Sequence, residues 1–369
     1  MLSQSDVTRL LENPSAEIRA ETAQKIAADF GGGELSDSER HIAEDIFRVM
    51  VRDAEERVRE ALSVNLKDSD LVPHDVAMTL AQDVDSVALP MLEFTKVLSD
   101  EDLVEIIRTQ NPEKQTAIAK RDAVSEEVSG ALVETGNETV VATLVANDGA
   151  EIAESSMQEV LDTFADNDTI KDSMVQRSKL PVTVAERLVV MVSDKMRDHL
   201  VANHELAPDI ASDLILQSRE RATIGLLSPD TEHVDVESLI QQLDENGRLT
   251  PSIILRAVCM GDITFFEASL ARRAGIPLAN ARKLVHDPGE LGMKSLFTAA
   301  NMPGALYPAT RVALDVMQEM EFDGQDNDRE RYSRRMLERI LTQYEEINAD
   351  DLEYLLGKLS KLAQPAQAA

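Results

Sequence analysis

One short phrase recurs three times between residues 113 and 192, and this recurrence constrains the fold more than any other feature of the chain. Glu113–Val133 reads EKQTAIAKRDAVSEEVSGALV, Glu138–Asp162 reads ETVVATLVANDGAEIAESSMQEVLD, and Asp168–Val190 reads DTIKDSMVQRSKLPVTVAERLVV. Each begins as a helix, breaks at Lys120-Arg121-Asp122, Ala146-Asn147-Asp148 or Gln176-Arg177-Ser178, and resumes as a second apolar-periodic run. A unit of helix, tight turn and helix cannot bury its apolar face alone, so consecutive copies must stack, and the spacing predicts an α-solenoid.

The phrase has earlier relatives. Asn13-Pro14-Ser15-Ala16-Glu17-Ile18-Arg19 and Asp53-Ala54-Glu55-Glu56-Arg57-Val58-Arg59 both place a short polar residue six positions before an arginine. The physical expectation is that Asn13 and Asp53 cap the incoming helix, that Ile18 and Val58 enter the core, and that the arginine stem lies along the next unit. This spacing resembles HEAT repeats. With Arg19 as phase mark, equivalents fall at Arg59, Ala88, Gln115, Val141 and Lys171, in steps of 40, 29, 27, 26 and 30. The later steps resemble the shorter leucine-rich variant repeat. The first is lengthened by Gly31-Gly32-Gly33 and the polar stretch to Arg40. Glu34 follows those glycines, where a phosphate loop would need lysine, so they read as a loop after a helix.

From Leu180 the elements lengthen, with helices expected to about Ala202 and over Leu206–Leu227. The stretch Ser228–His233 is polar and contains Pro229, which places a domain boundary there. Shorter helices follow over Val236–Glu245, Pro251–Met260, Ile263–Ala274 and Pro277–His286, with prolines near starts and glycines past ends. Leu291–Asn301 and Pro303–Met320 continue the pattern. The carboxy-terminal part, Arg329–Ile347 and a run from Asp350, reads as two amphipathic helices. The expected fold is therefore all-α: a HEAT-like α-solenoid over 1–228, a compact helical domain over 229–322, and a linker with amphipathic helices over 323–369.

Charge limits the partners. There are 68 acidic against 37 basic residues, a net charge of −31, and aromatic content is 3% with no Trp. Such a surface repels phosphate backbones and offers few platforms for bases, so nucleic acid is excluded as the expected partner. The chain has no run of about 18 apolar residues and no basic-then-apolar leader, so neither membrane insertion nor secretion is expected. A single cysteine, Cys259, rules out an intrachain disulfide and fits the cytoplasm.

Chemical motifs are scarce. His204-Glu205-Leu206-Ala207-Pro208 echoes a phosphoacceptor box, but the proline comes one residue early, and an ordinary interhelical loop is the stronger reading. His204, or His199 beside it, is the alternative phosphotransfer residue. The two histidines lie five apart, off a common helix face for a metal. Asp323, Asp326 and Asp328 lack the glycine and glutamate of an EF-hand. Cys259 sits in an apolar run and reads as a core thiol. Arg329, Arg331, Arg334, Arg335 and Arg339 concentrate positive charge on an amphipathic helix, a candidate interaction or self-association surface that would allow a homodimer through the carboxy-terminal helices. Arg219, Arg221, Asp262 and Glu267 are candidates for ion pairs at the domain junction. No catalytic, cofactor-binding or metal residue emerges, and no cofactor is expected.

Several stretches carry a family likeness: Val87-Ala88-Leu89-Pro90-Met91-Leu92, Leu98–Leu103 (LSDEDL), Ala117–Arg121 (AIAKR), Ser218–Ala222 (SRERA), Gly261–Glu267 (GDITFFE) and His286–Gly292 (HDPGELG). Over roughly residues 45–322 the chain resembles the bacterial DUF2336 family, whose function is unknown. That resemblance implies a helical fold in a bacterial cytoplasmic protein and supplies no catalytic residues. The reading that fits the whole is a non-enzymatic interaction scaffold that presents an extended helical surface to a protein partner.

Overall fold

The computed structural model describes residues 8, 15–31, 35–203, 208–227, 233–287, 289–319, 335 and 339. Apart from residues 335 and 339, the expected carboxy-terminal helices lie outside them, as do the aspartates 323, 326 and 328 and Asn13. The fold is all-α. Among the described residues there is no strand, only an isolated parallel bridge between Val124 and Ala150. The chain packs as two compact units, Met1–Leu180 and Pro181–Ala369, a division earlier in the sequence than the polar stretch at 228–233.

In the first unit the helices are α1 (Ala16–Gly31), α2 (Asp37–Met50), α3 (Glu56–Leu66), α4 (His74–Ala81), α5 (Asp85–Phe94), α6 (Asp100–Thr109), α7 (Pro112–Ala119), α8 (Glu126–Glu134), α9 (Glu138–Ala146), α10 (Glu154–Thr163) and α11 (Asp168–Val175). They pack alternately. One row runs α1, α3, α5, α7, α9, α11, each helix against the next; in the other, α6 packs on α8 and α8 on α10. Every phase mark read from the sequence falls in the first row. Arg19, Arg59, Ala88, Gln115, Val141 and Lys171 are each the fourth residue of their helix.

Short polar residues start these helices as the pattern requires. Ser36 and Ser99 form capping boxes with Glu39 and Asp102, and Asn111, Ser125, Asn137 and Asn167 each accept a first-turn amide. Pro112 and Pro251 occupy first-turn positions, where their missing amide costs nothing. Asp53 does not act as the expected cap. The residue before α3 is Glu55, which caps without its side chain, while Asp53 accepts the Glu55 amide and both ends of the Arg19 guanidinium at 2.7 and 2.9 Å. The charged, two-pronged Arg19 and the Glu55 amide together occupy the Asp53 carboxylate ahead of the first turn of α3.

The second unit comprises α12 (Val182–Asn203), α13 (Pro208–Gly225), α14 (His233–Glu245), α15 (Pro251–Cys259), α16 (Ile263–Ala274), α17 (Leu278–Val285), α18 (Glu290–Ala299), a 3₁₀ turn (Gly304–Leu306) and α19 (Tyr307–Glu319). Helix α16 is the hub, packed against α14, α15, α17 and α18, with Phe265 and Phe266 fully buried. Every residue of α15 from Ile253 to Cys259 is buried. Gly247, Gly261 and Gly275 follow helices with positive φ, as their place past a helix end predicts. Gly289 does not. It has φ −80° and precedes α18 as its N-cap, because the α17–α18 connection is too short for a separate exit and entry.

Candidate functional site

The breaks in the repeated phrase are where successive helices of the first row are tied together. Each residue just after one of these helices reaches back to the carboxy-terminal carbonyls of the helix before it. Arg121, after α7, donates from Nη1 to Leu92 O (2.7 Å) and from Nη2 to Thr95 O (2.6 Å) at the end of α5. Asn147, after α9, donates from Nδ2 to Ala119 O (2.9 Å) and Arg121 O (2.7 Å) at the end of α7. Arg177, after α11, donates from Nη1 to Val145 O (2.9 Å) and Asn147 O (2.8 Å) and from Nη2 to Ala150 O (2.6 Å) at the end of α9. The last carbonyls of a helix have no intrahelical partner and carry its negative dipole end, so a cation or amide there satisfies both needs. Burial pulls the Arg121 and Arg177 values below the ordinary guanidinium range, opposed by Asp100 and Asp122 at the first and by Asp148 at the second.

At the amino-terminal end of the row the ties point forward. Arg19 grips Asp53, and Arg59 grips Asp83 through Nε and Nη2 at 2.5 and 2.8 Å. The Arg19 hydrogen bond holds the Asp53 carboxyl below its usual range. For Asp83, burial pushes upward, but Arg59 and the Val84 amide outweigh it and the net shift is down. Asp102 behaves likewise, with burial opposed by His74 and Ser99.

With the first-row helices fixed in this way, α9 and α11 leave a groove of about 650 Å³ between them, which reaches Lys120 just past the end of α7. Its floor and walls are short side chains, Thr139, Ala142, Thr143, Ala146, Thr169 and Ser173, with Lys120 and Glu138 among the charges at its margin. Asn167 closes one side by donating to Glu138 Oε1 at 2.6 Å.

The second unit is pinned by three buried carboxylates. Glu186 of α12 meets Arg248 at 2.5 Å and the Gln242 amide at 2.7 Å. Glu220 of α13 accepts from Thr250 and Ser252, both at 2.8 Å, with Arg256 at 3.7 Å. Glu267 of α16 meets Arg282 Nε at 2.9 Å and His286 Nε2 at 2.6 Å, both from α17 and its end. In a chain with 68 acidic residues Glu186 and Glu220 carry no sequence signal of their own, and Glu267, a candidate for an ion pair, carries none that names its partners. The arginine and histidine four apart at 282 and 286, on one helix face, are the readable half of the last cluster.

The residues singled out from the sequence are dispersed. Arg219 donates to Asp194 of α12 at 2.6 Å, Asp262 caps α16 through the Phe265 amide, Glu267 takes the partners just given, and Arg221 is exposed on α13; all four belong to the second unit. His199 is exposed on α12, and His204 lies outside the described residues. Arg339 pairs with Glu319 at the end of α19 and Arg335 is exposed, while Arg329, Arg331 and Arg334 lie outside the described residues. Cys259 is wholly buried, and burial pushes its thiol up to about 12, with Arg256 opposing. Among the described residues no group of three or more His, Cys, Asp or Glu is placed to hold a metal ion, and no helix is long and apolar enough to cross a membrane.

The family model described as an uncharacterised protein conserved in bacteria, DUF2336, matches residues 87–350, well over half of the chain. The chain belongs to the DUF2336 family. No curated protein and no solved structure matches it. The match starts within α5, so α1–α4 precede the DUF2336 region. Every stretch that carried the likeness has a structural part in this DUF2336 chain, beginning with Val87–Leu92, which buries Val87, Ala88, Met91 and Leu92 of α5. LSDEDL is the α6 capping box and AIAKR ends in the Arg121 tie. SRERA holds the Arg219 and Glu220 pairs, GDITFFE supplies the α16 cap, its two core phenylalanines and Glu267, and HDPGELG begins with His286.

Proposed function

We propose that this DUF2336 protein is a non-enzymatic interaction scaffold whose α9–α11 groove receives a segment of a protein partner. The observation that supports this most is the combination of short side chains lining the groove with backbone ties that hold α9 and α11 in register with each other and with the end of α7. Small side chains let a partner's backbone approach closely, and a surface already fixed loses little entropy on binding. Stacked helix pairs commonly present extended binding faces of this kind.

Affinity purification from native lysate tests this with three versions of the full chain. Wild type should recover a defined protein; Ala142→Arg, which fills the groove, should lose it; Glu159→Arg on exposed α10 should keep it. Equal recovery by both variants, or turnover of a substrate by the purified protein, would overturn the reading.

A further inference from the structure

We propose that His286 is a phosphoryl-acceptor histidine, with Glu267 as its positioning residue and Arg282 as the group that receives the phosphoryl oxygens. This goes beyond the scaffold reading and does not rest on it. Glu267 is 4% exposed, and its two carboxylate oxygens are divided between the two neighbours from α17: Oε1 to His286 Nε2 at 2.6 Å and Oε2 to Arg282 Nε at 2.9 Å. A carboxylate oxygen can only accept, so in the neutral imidazole the proton stands on Nε2 and the lone pair on Nδ1. His286 is about half exposed, and Nδ1 makes no hydrogen bond among the described residues. The result is a half-exposed ring whose tautomer and orientation are set by a buried charge, with its basic nitrogen left without a hydrogen bond among the described residues.

The electrophile this pair suits is anionic. Arg282 spends only Nε on Glu267, its side chain is 43% exposed, and its two Nη groups make no hydrogen bond among the described residues. A guanidinium one helical turn from the nucleophile matches the geometry of phosphate oxygens and disfavours a metal cation. The carboxylate next in the chain, Asp287, is engaged at the start of α18, where its Oδ1 accepts the Gly289 amide at 3.1 Å. In the reaction, the Nδ1 lone pair attacks phosphorus of an N-phosphate or acyl phosphate. The N–P bond forms as the donor's bond to phosphorus breaks, and that electron pair departs with the leaving group. Nε2 keeps its proton, so the phosphorylated ring carries positive charge directly against Glu267, which stabilises it.

Protonated phosphoramidate, which releases ammonia, is the donor for the test. The full chain is incubated with it and acid-labile, base-stable label is mapped by mass spectrometry. His286 should be labelled at least about tenfold faster than His41, which is exposed on α2 and has no such carboxylate. Glu267→Gln, with folding verified by circular dichroism, should reduce the His286 rate by about tenfold, and Arg282→Gln should reduce it with phosphoramidate while leaving the His41 rate unchanged. Labelling of His286 no faster than His41 in the unmodified chain would overturn the proposal without recourse to any variant, and so would an unchanged rate in Glu267→Gln.

Discussion

At Gly149 two turns of the first unit come so close that a side chain has no room. A Cβ placed there would stand 2.1 Å from the Asp122 carbonyl oxygen, which is backbone and cannot swing away. The approach is what lets the Glu151 amide reach Val124 O at 2.8 Å, linking the break after α9 to the break after α7. Gly149→Ala is therefore expected to destabilise the protein by about 1–3 kcal/mol, as overpacking does. Gly130, inside α8, is the contrast: its nearest neighbour to an added Cβ is Ser156 Oγ at 4.0 Å. Gly130→Ala should stabilise by about 0.5–1 kcal/mol through helix propensity alone. Urea unfolding of the two variants checks both signs, and a loss in each would mean that the local geometry is not what controls them. Cys259 makes a second prediction at this scale. With its thiol fully buried and pushed up to about 12, almost none is thiolate near neutrality, and no reagent reaches it in the folded chain. A disulfide reagent at pH 8 should modify Cys259 only as fast as the second unit opens, so the rate should rise with urea in step with unfolding. Rapid modification without urea would show that α15 is not buried as described.

For the helices, the ties decide whether neighbouring units open together or separately. Arg121 is the clearest case, because its two donors satisfy carbonyls at the end of α5 and it is itself held by Asn147 from the next unit. Arg121→Met keeps the stem and removes the fork, leaving Leu92 O and Thr95 O without their donor. The expected cost is about 2–3 kcal/mol. Arg121→Lys should recover less than half of it, since a single ammonium cannot span both carbonyls in the fork's geometry. Amide hydrogen exchange should show faster exchange at the end of α5 and the start of α7, with α1 and α2 unchanged; uniform acceleration throughout the unit would refute a local tie. These contacts mark the limit of what the sequence discloses. The repeat spacing and apolar periodicity locate the first-row helices, with small polar starts only at some of them, which is why Ala88, Gln115 and Val141, three chemically unlike residues, can be set equivalent to Arg19 and prove to occupy the same helical position. The breaks at 120–122, 146–148 and 176–178 are equally legible as turns. Where their side chains go is not, because a residue's preference for a turn says nothing about which carbonyl 26–32 positions earlier lies within reach. Asp53 meets the same limit: its preference for a cap position is visible in the sequence, and the arginine 34 positions away that claims it instead is not.

For the molecule as a whole the governing quantity is charge. Buried carboxylates such as Glu186 and Glu220 are invisible in the sequence because acidic residues are everywhere, whereas the excess itself, −31, is a physical property of the entire chain with a consequence for stability. Two effects of pH oppose each other. Self-repulsion among the excess carboxylates weakens as pH falls from 7 toward the isoelectric point near 4.5, which favours the compact state. Against this, Asp53, Asp83 and Asp102 are held below the ordinary range in the folded chain, by Arg19, by Arg59 and by His74 with Ser99. A depressed carboxylate contributes stability that is complete above its unfolded value, about 3.9, and is lost as pH falls through the lower folded value, because the unfolded chain takes up the proton first. The melting temperature should thus rise between pH 7 and about pH 5, pass through a maximum, and fall steeply below about pH 4. Salt separates the two limbs. Raising ionic strength from about 0.01 to 0.15 M shortens the screening length from about 30 to 8 Å, which damps diffuse repulsion far more than the paired contacts at 2.5–2.9 Å. Added salt should therefore raise the melting temperature at pH 7, have little effect at pH 5, and leave the acid limb in place. A melting temperature that is flat or falling from pH 7 to pH 5 at low salt would mean that the excess charge is already neutralised within the fold, and that repulsion across the acidic surface costs the folded chain little.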